Sequence, residues 1–248
     1  MVHQFARTEL VFGSEALQVL KESRVAVFGL GGVGGMAAEA LARSGVGRFL
    51  LVDFDVVSIT NLNRQVIALH SSIGKPKVQV MQERILDINP LAQVEARQET
   101  YTPATAEGFF ATPIDYVVDA IDMVSAKIDL ILQAQGRGIP IISSMGTGNK
   151  LDPSQLELAD IYETSVCPLA RVLRRELKKR GCKALRVVYS RESPAVLQNG
   201  ERAFTEDSNP GKHIPGSTAF VPPAAGLLLA SWVVRDLVQR WANKDFGL

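Results

Sequence analysis

The chain has 248 residues, 46% of them hydrophobic and 21% charged, and its formal net charge is +1. This composition excludes a predominantly disordered protein, because low hydrophobicity and a large net charge are both missing. It also excludes an overall basic field for nucleic acid, although local patches stay open, and the length suits one large α/β domain or two small ones.

The N-terminal part of the chain predicts a βαβ unit. A β-branched run at 24–29 is followed by glycines, by the Ala-rich helix Met36–Arg43 and by a second apolar run at 48–53 that ends in an acid. Strand, glycine-rich turn, helix and strand in this order are typical of that unit.

Helices and strands continue to alternate after this unit. The further predicted elements are a helix over 76–88, a strand over 116–120, a helix over 126–136, strands over 140–144 and 156–161, a basic helix over 168–180 and a strand over 185–190. The alternation predicts a mostly parallel, Rossmann-like α/β sheet flanked by helices. No linker divides the chain, so we predict one domain, 1–248, with a nucleotide-binding core at 20–150 and a C-terminal, substrate-facing extension at 151–248.

An apolar run near the C-terminus requires a choice between core and membrane. Residues 214–234 include no charged side chain, and their length would span a bilayer. Pro222 and Pro223 divide the run, so we favour a buried core helix that ends at Arg235 and Asp236 over membrane association. The preceding loop, 192–217, is too long for a simple connection, and its function is left open.

A glycine-rich turn predicts nucleotide binding. Residues 29–34 match G-x-G-x-x-G directly after a strand and before a helix, where the backbone approaches phosphate oxygens closely. An acid at the tip of the second strand is placed to accept hydrogen bonds from ribose hydroxyls. The nucleotide-binding residues predicted here are Gly29, Gly31, Gly32, Gly34 and Asp53. The turn by itself does not distinguish NAD from ATP.

Polar residues further along the chain favour ATP. Asn61, Arg64 and Lys77 follow the second strand, at the carboxyl edge of the sheet where ligands bind in open α/β folds. A triphosphate carries about four charges that require cations and a metal, whereas NAD needs no such cluster. Asp119 and Asp122, at the end of the next predicted core strand, offer carboxylates to a magnesium ion on the same edge. We therefore expect ATP and magnesium as cofactors.

Five short motifs occur in a characteristic order: G-x-G-G-x-G at 29–34, D-x-D-x-V at 53–57, N-x-x-R-Q at 61–65, G-x-P-K at 74–77 and D-x-x-D at 119–122. Over residues 5–150 this order resembles the ubiquitin-activating-enzyme superfamily, whose members adenylate a carboxylate with ATP. The resemblance implies contacts with ATP or its magnesium for Asp53, Asp55, Asn61, Arg64, Lys77 and Asp122.

The same resemblance implies catalytic roles for four residues and a particular assembly. The four residues are Arg7, Arg64, Lys77 and Asp122, of which Asp122 is also the candidate magnesium ligand. Arg7 matches an N-terminal arginine that reaches the triphosphate of the partner subunit, which implies a homodimer.

The second half of the chain resembles one branch of this superfamily. Segments 160–181, 187–192 and 215–231 are similar to the family of bacterial tRNA threonylcarbamoyladenosine dehydratases. That resemblance implies ATP-dependent activation of the threonyl carboxylate of a modified adenosine beside the anticodon, followed by ring closure with loss of water. An adenylyltransferase for the C-terminus of a ubiquitin-like sulfur carrier, an NAD-dependent oxidoreductase and a non-catalytic nucleotide-binding module are the alternatives. A sulfur-transfer protein partner also stays open.

A local basic patch contrasts with the neutral chain. Residues 171–186 hold eight Lys or Arg and one Glu, a net charge of +7 in a chain of +1. Such a patch favours a polyanionic partner, and the family resemblance points to tRNA. A solvated amphipathic helix is the alternative, because Leu173 and Leu177 form a buried stripe. The predicted tRNA contacts are Arg171, Arg174, Arg175, Lys178, Lys179 and Arg180.

The two cysteines, Cys167 and Cys182, predict neither a disulfide framework nor a metal site. No Cys-x-x-Cys pair is present, so we expect no structural zinc, although superfamily members that activate sulfur carriers usually have two such pairs. Ring closure within a substrate requires no enzyme nucleophile, so we interpret Cys167 as structural or peripheral, and an acyl or persulfide role is the alternative. Cysteine usage and the N-terminal sequence, which does not resemble a signal peptide, predict a cytoplasmic protein.

Overall fold

Seven strands form the centre of the computed structural model, which describes residues 3–196 and 215–245. The strands are β1 (Arg24–Phe28), β2 (Arg48–Val52), β3 (Gln93–Arg97), β4 (Tyr116–Asp119), β5 (Ile141–Ser144), β6 (Leu156–Asp160) and β7 (Arg186–Ser190). Their order across the sheet is β3-β2-β1-β4-β5-β7-β6, and only β6 runs antiparallel, against β7. The prediction of a mostly parallel α/β sheet is confirmed.

Helices cover both faces of the sheet. They are α1 (Ala6–Phe12), α2 (Ser14–Glu22), α3 (Gly34–Arg43), α4 (Lys77–Ile88), α5 (Ala106–Phe109), α6 (Val124–Gly136), α7 (Pro168–Lys179) and α8 (Val221–Asp245). One apolar cluster includes residues of α3, α4 and α8, and a second includes residues of α5, α6 and α7. Strands β1, β2, β4 and β5 are almost entirely buried between these layers, so they lack the alternation of buried and exposed residues of a half-exposed strand.

Four elements were not predicted from the sequence. Helices α1 and α2 are short and are separated only by Gly13, whose φ is +87°. Strand β3 lies at the edge of the sheet and contains three polar residues among five, so it lacks the apolar run of the central strands. Helix α5 is a single turn of four residues. Local patterns are weakest in elements of this kind.

Helix α8 is longer than predicted. Pro222 and Pro223 lie in its first turn, where a missing N–H costs no intrahelical hydrogen bond, and the helix continues ten residues beyond Arg235 to Asp245. The expected end at Arg235 and Asp236 is therefore wrong. By length and composition this helix could cross a membrane, but half of its most apolar window is buried inside the protein. Ala225, Leu229 and Val233 are fully buried in the core, as a core helix requires. The segment 197–214, which holds most of the predicted loop, lies outside the described residues.

The sheet order creates a crevice beside β1. The chain passes from β1 to β2 and β3 on one side and then returns to β4 on the other side of β1. At such a switch point the connections after β1 and β4 diverge, which leaves room for a ligand at the carboxyl ends of the strands. The glycine-rich turn and the segment 120–123 follow these two strands.

Candidate active site

A cavity of about 290 Å³ lies at this switch point. Among its lining residues are Gly29, Gly31, Gly32, Asp53, Asp55, Asn61, Arg64, Lys77 and Asp122. Motifs that are far apart in the sequence are thus brought together, because the carboxyl ends of parallel strands meet at one edge of the sheet. Gly34, Arg7 and the basic residues of α7 do not line this cavity.

Two glycines of the turn are required by the close approach of neighbouring backbone. At Gly29, where φ is +85°, an added Cβ would lie 2.7 Å from the carbonyl oxygen of Ala120. At Gly34 an added Cβ would lie 1.8 Å from the carbonyl oxygen of Gly29. Gly34 therefore lets α3 begin directly against the turn, and its contribution to the cavity is indirect. The resulting helix N-terminus next to the cavity favours an anion.

Asp53 is held in one orientation by the backbone. Its Oδ2 accepts a hydrogen bond of 2.6 Å from the Leu30 N–H, and its Oδ1 accepts one of 2.9 Å from the Asp55 N–H. The residue is only 8% exposed, and this burial raises the pKa of the Asp53 carboxyl, an effect that Lys77 opposes. Each carboxylate oxygen retains a free lone pair, so the group can still accept a hydroxyl donor from the cavity.

Lys77 provides a buried positive charge in the cavity wall. It is the first residue of α4 and is 5% exposed, and its Nζ donates to Asp55 Oδ2 at 2.6 Å. Asp55 thus orients Lys77, and the main contact of the Asp55 carboxylate is this ion pair. The sequence placed both residues in the site without indicating that they pair.

Arg64 and Asn61 belong to the short helical turn after β2. Arg64 Nη1 donates to the carbonyl of Thr60 at 3.1 Å and to Asn63 Oδ1 at 2.9 Å, and burial lowers the pKa of this guanidinium. Asn61 Oδ1 accepts from the Ser58 N–H at 3.2 Å, which caps the turn and leaves the amide N–H groups of Asn61 as donors. Both residues therefore offer donors to a ligand in the cavity.

The two aspartates after β4 have different roles. Asp122 is exposed and lines the cavity, as expected for a ligand-facing carboxylate. Asp119 is fully buried, and its Oδ2 accepts from Lys127 Nζ at 2.7 Å and from Ser143 Oγ at 2.6 Å. The expectation that Asp119 offers a magnesium ligand is therefore wrong, because a fully buried lysine neutralises it. Within 3–196 and 215–245 no three acidic, His or Cys side chains group as a metal site.

One end of the cavity is apolar and was not predicted. Phe28, Tyr101, Ile121 and Ala126 line it, and the Phe28 and Tyr101 rings meet edge to face at 5.3 Å. The Tyr101 hydroxyl donates to Asp129 at 2.8 Å, and burial raises the pKa of this phenol. A flat, apolar-faced group such as a nucleobase suits this end. Tyr101 follows an unpredicted edge strand, so no motif indicated it.

Gln65 is a second residue that sequence reasoning passed over. It lines the cavity and is 6% exposed, and its Oε1 is buried without a hydrogen-bond partner in the described part of the chain. The signal in the sequence is its position as the last residue of the N-x-x-R-Q motif, from which only Asn61 and Arg64 were predicted as site residues.

The basic residues of α7 do not all face solvent freely. Arg175, Lys179 and Arg180 form ion pairs with Glu176, and hydrogen bonds from Arg180 and Lys179 lower the pKa of Glu176 to about 2. Arg174 is half-buried, and its Nη1 donates to the Thr164 carbonyl at 2.6 Å. Arg171 and Lys178 are exposed, and their side chains make no hydrogen bond or ion pair with the residues that the structure describes. Helix α7 itself agrees closely with the predicted 168–180.

Arg7 lies on an exposed face of α1, away from the cavity of its own chain. Leu10 and Val11, one turn later on the same face, are 87% and 78% exposed.

Cys167 is buried at the start of α7, in agreement with a structural role.

These features define the class of protein: an α/β nucleotide-binding protein whose cavity adds two cations, three aspartates and an apolar end to a phosphate-binding turn. The chain belongs to the ThiF family, whose model matches residues 5–245. It is 50% identical over 244 residues to the tRNA threonylcarbamoyladenosine dehydratase of Bacillus subtilis, with 96% of each chain covered.

Solved structures give the same result. The crystal structure of the Escherichia coli tRNA N6-threonylcarbamoyladenosine dehydratase in complex with ATP matches with a TM-score of 0.86 and 33% identity, covering 97% of this chain and 96% of the other. The structure of that enzyme with AMP matches with the same TM-score, identity and coverage. The expected family and fold are thus confirmed.

Proposed function

We propose that this chain is a cytoplasmic enzyme that dehydrates threonylcarbamoyladenosine beside the anticodon of tRNA, with ATP activating the threonyl carboxylate. The observation that carries this function is the cavity in which Asp53, Arg64 and Lys77 surround a phosphate-binding turn. The dehydratases with bound ATP and AMP support it. Within a single domain, residues 20–150 bind the nucleotide and residues 151–248 face the tRNA.

The reaction has two steps. A carboxylate oxygen of the threonyl group attacks the α-phosphorus of ATP, the bond to the bridging oxygen breaks, and pyrophosphate leaves. A nitrogen of the modification then attacks the activated carbonyl carbon, AMP leaves with the former carboxylate oxygen, and the nitrogen releases its proton. One water is lost from the nucleoside overall. Both steps depend on positioning and charge neutralisation more than on an enzyme nucleophile.

Different cavity residues bind different parts of the nucleotide. Asp53 accepts from the ribose hydroxyls, because its carboxylate is held at the strand tip with lone pairs free. Arg64, Lys77 and the amide of Asn61 donate to the triphosphate and neutralise the charge that develops on pyrophosphate. The apolar end at Phe28 and Tyr101 takes the adenine.

The donor set also suits magnesium. Magnesium binds through one or two carboxylates together with phosphate oxygens and waters. Asp122 provides one exposed carboxylate at the cavity, so a metal here would be held by Asp122 together with the triphosphate. When bound, magnesium would neutralise phosphate charge, and Asp122 would orient it.

The function predicts a defined product. Incubation of the purified chain with ATP and tRNA from cells that lack it is expected to remove one water from the modified nucleoside, with one AMP and one pyrophosphate formed. Mass spectrometry of digested tRNA measures the first, and chromatography of the nucleotides the second. Pyrophosphate exchange that requires a Gly-Gly-tailed carrier protein and not tRNA would instead support the sulfur-carrier adenylyltransferase. ATP binding without pyrophosphate release would support a non-catalytic module.

We further propose that tRNA binds along the exposed face of α7. Arg171, Arg175 and Lys178 are spaced by four and three residues, so they lie on one face of the helix. Arg171 and Lys178 carry charge that no carboxylate in the described part of the chain neutralises. Lys179 and Arg180 extend this surface. Arg174 is held at its border by the hydrogen bond to the Thr164 carbonyl.

Salt dependence tests this surface. Arg171→Ala with Lys178→Ala is expected to weaken tRNA binding and to flatten the slope of log affinity against log salt by up to about two phosphate contacts. ATP affinity should not change, because neither residue lines the cavity. A matched control is Lys21→Ala with Arg48→Ala, which removes the same charge from α2 and the amino end of β2. An equal slope in the two variants would refute tRNA binding by this helix.

The exposed face of α1 supports a homodimer in which Arg7 acts on the partner's nucleotide. Leu10 and Val11 are large apolar side chains left uncovered beside Arg7, and a second copy of the chain would bury them. Arg7 lies outside its own cavity, so it contributes to a site only across such an interface.

Subunit mixing tests this arrangement. Arg7→Ala and Lys77→Ala homodimers are each expected to be inactive, but a heterodimer purified through two different tags should regain roughly half of wild-type turnover. In that heterodimer, one site has an intact Lys77 and receives an intact Arg7. A purified heterodimer without recovered turnover would show that each site is built from a single chain.

A further inference from the structure

Gln65 is a buried polar side chain whose hydrogen-bonding capacity the protein does not use. It is 6% exposed and lines the nucleotide cavity, and its carboxamide makes no hydrogen bond to any residue that the structure describes. Its backbone is fixed, because the Gln65 N–H donates to the Asn61 carbonyl at 2.9 Å. The side chain is therefore placed at the cavity by the same turn that carries Arg64.

An unpaired carboxamide in this position is unfavourable for the protein alone. Buried polar groups are almost always hydrogen-bonded, and an orphaned one loses its hydration without compensation. A methionine would fill the same volume without that loss. The residues that the structure describes thus do not account for the glutamine, and a ligand in the cavity is a partner for its Nε2 donor, not for the buried acceptor Oε1.

The geometry indicates which atom meets the ligand. Oε1 is the buried atom of the carboxamide, which leaves Nε2 as the donor toward the cavity. Nε2 lies 4.0 Å from the point that a Cβ on Gly31 would occupy, so it faces the phosphate-binding turn. A phosphate oxygen between this turn and Arg64 is a pure acceptor, and an amide N–H is a neutral donor that complements it.

We propose that Gln65 contacts the bound nucleotide directly, donating from Nε2 to a phosphate oxygen over the glycine-rich turn. This inference rests on the proposed use of ATP and adds a neutral, directional donor to the charged donors Arg64 and Lys77. Unlike those cations, an amide provides no long-range attraction and acts only on a correctly placed oxygen. The unpaired Oε1 is unfavourable with or without the nucleotide, and the gain in the complex comes from the Nε2 hydrogen bond.

Two substitutions separate this role from a structural one. Gln65→Met keeps the volume and removes the hydrogen bond, so ATP affinity should fall about tenfold while the Tm of the ligand-free protein stays equal or rises by about 2–4 °C. Gln65→Glu keeps the shape but replaces the donor by a charged acceptor, so ATP affinity should fall by about a hundredfold or more. Isothermal titration with ATP and thermal unfolding without ligand provide the two measurements.

Gln82→Met is the matched control. Gln82 is a glutamine of α4 outside the cavity, and its Nε2 donates to the Val94 carbonyl at 2.7 Å. Its replacement should lower Tm and leave ATP affinity unchanged, which is the opposite of the pattern expected at Gln65. The control shows what the loss of a structural glutamine hydrogen bond looks like in the same assay.

The outcomes are distinct for the two proposals. Wild-type ATP affinity in Gln65→Met, or a loss of Tm equal to that of Gln82→Met, would overturn the role of Gln65 and leave the proposed function intact. Failure of the wild-type chain to bind ATP would overturn the proposed function itself. Weakened ATP binding in Gln65→Met without a loss of Tm would support the inference.

Discussion

Lys77→Ala is expected to reduce AMP formation about 10²–10³-fold, by analogy with the removal of one preorganised electrostatic donor from an active site. Lys77 is held in the cavity wall by Asp55, so its charge is in position before the nucleotide arrives. Without Lys77, the cavity has one cation fewer to offset the negative charge of the triphosphate and of the three lining carboxylates, Asp53, Asp55 and Asp122.

The measurement is single-turnover AMP formation with saturating tRNA, together with ATP titration. Lys75→Ala is the matched control, because Lys75 lies two residues away, is exposed and does not line the cavity. It should retain wild-type rates. A Lys77→Ala enzyme that stays within threefold of the Lys75→Ala enzyme would show that Lys77 only stabilises Asp55.

Lys127→Met is expected to lower the free energy of unfolding by about 3–5 kcal/mol, because it leaves the buried carboxylate of Asp119 without its counter-charge. Lys127 Nζ is completely buried and donates to Asp119 at 2.7 Å and to Ser143 Oγ and the Ser144 carbonyl at 3.0 Å each. The network ties the carboxyl ends of β4 and β5 to α6, directly behind the segment that carries Asp122.

Urea unfolding of single and double variants tests this network. Asp119→Asn combined with Lys127→Met removes both charges and should recover much of the stability lost in Lys127→Met alone. Arg240→Met is the control, because Arg240 is exposed and its ion pair with Asp236 on α8 should be worth no more than about 1 kcal/mol. A single variant as stable as the Arg240→Met control would contradict the assigned role of the pair.

Much of the fold and the nucleotide site could be predicted from the sequence, because the relevant constraints are local. Only glycine meets the steric demands at Gly29 and Gly34. Asp53 directly follows β2, so its position in the sequence already places it at the carboxyl edge of the sheet. Continuous apolar strands alternating with helices specify a parallel sheet, and a parallel sheet brings all such tips together. That is why motifs spread over residues 29–122 converge on one cavity.

Other features depended on contacts between residues far apart in the chain. Nothing in D-x-x-D distinguishes Asp119 from Asp122; Lys127, one helix turn into α6, neutralises the first and leaves the second for the ligand. Residues 171–186 hold eight basic residues in sequence, yet Glu176 and Thr164 engage four of them in space.

The sequence by itself therefore determined the fold class, the phosphate-binding turn and the cationic character of the site, since each follows from steric or periodic patterns within a short segment. Only the tertiary structure decided which polar groups are already paired and which face the cavity unpaired. Gln65 is the clearest case, because an orphaned carboxamide is defined by the partners that its neighbours do not provide. Hydrogen-bond satisfaction is a property of the assembled neighbourhood, and no local pattern encodes it.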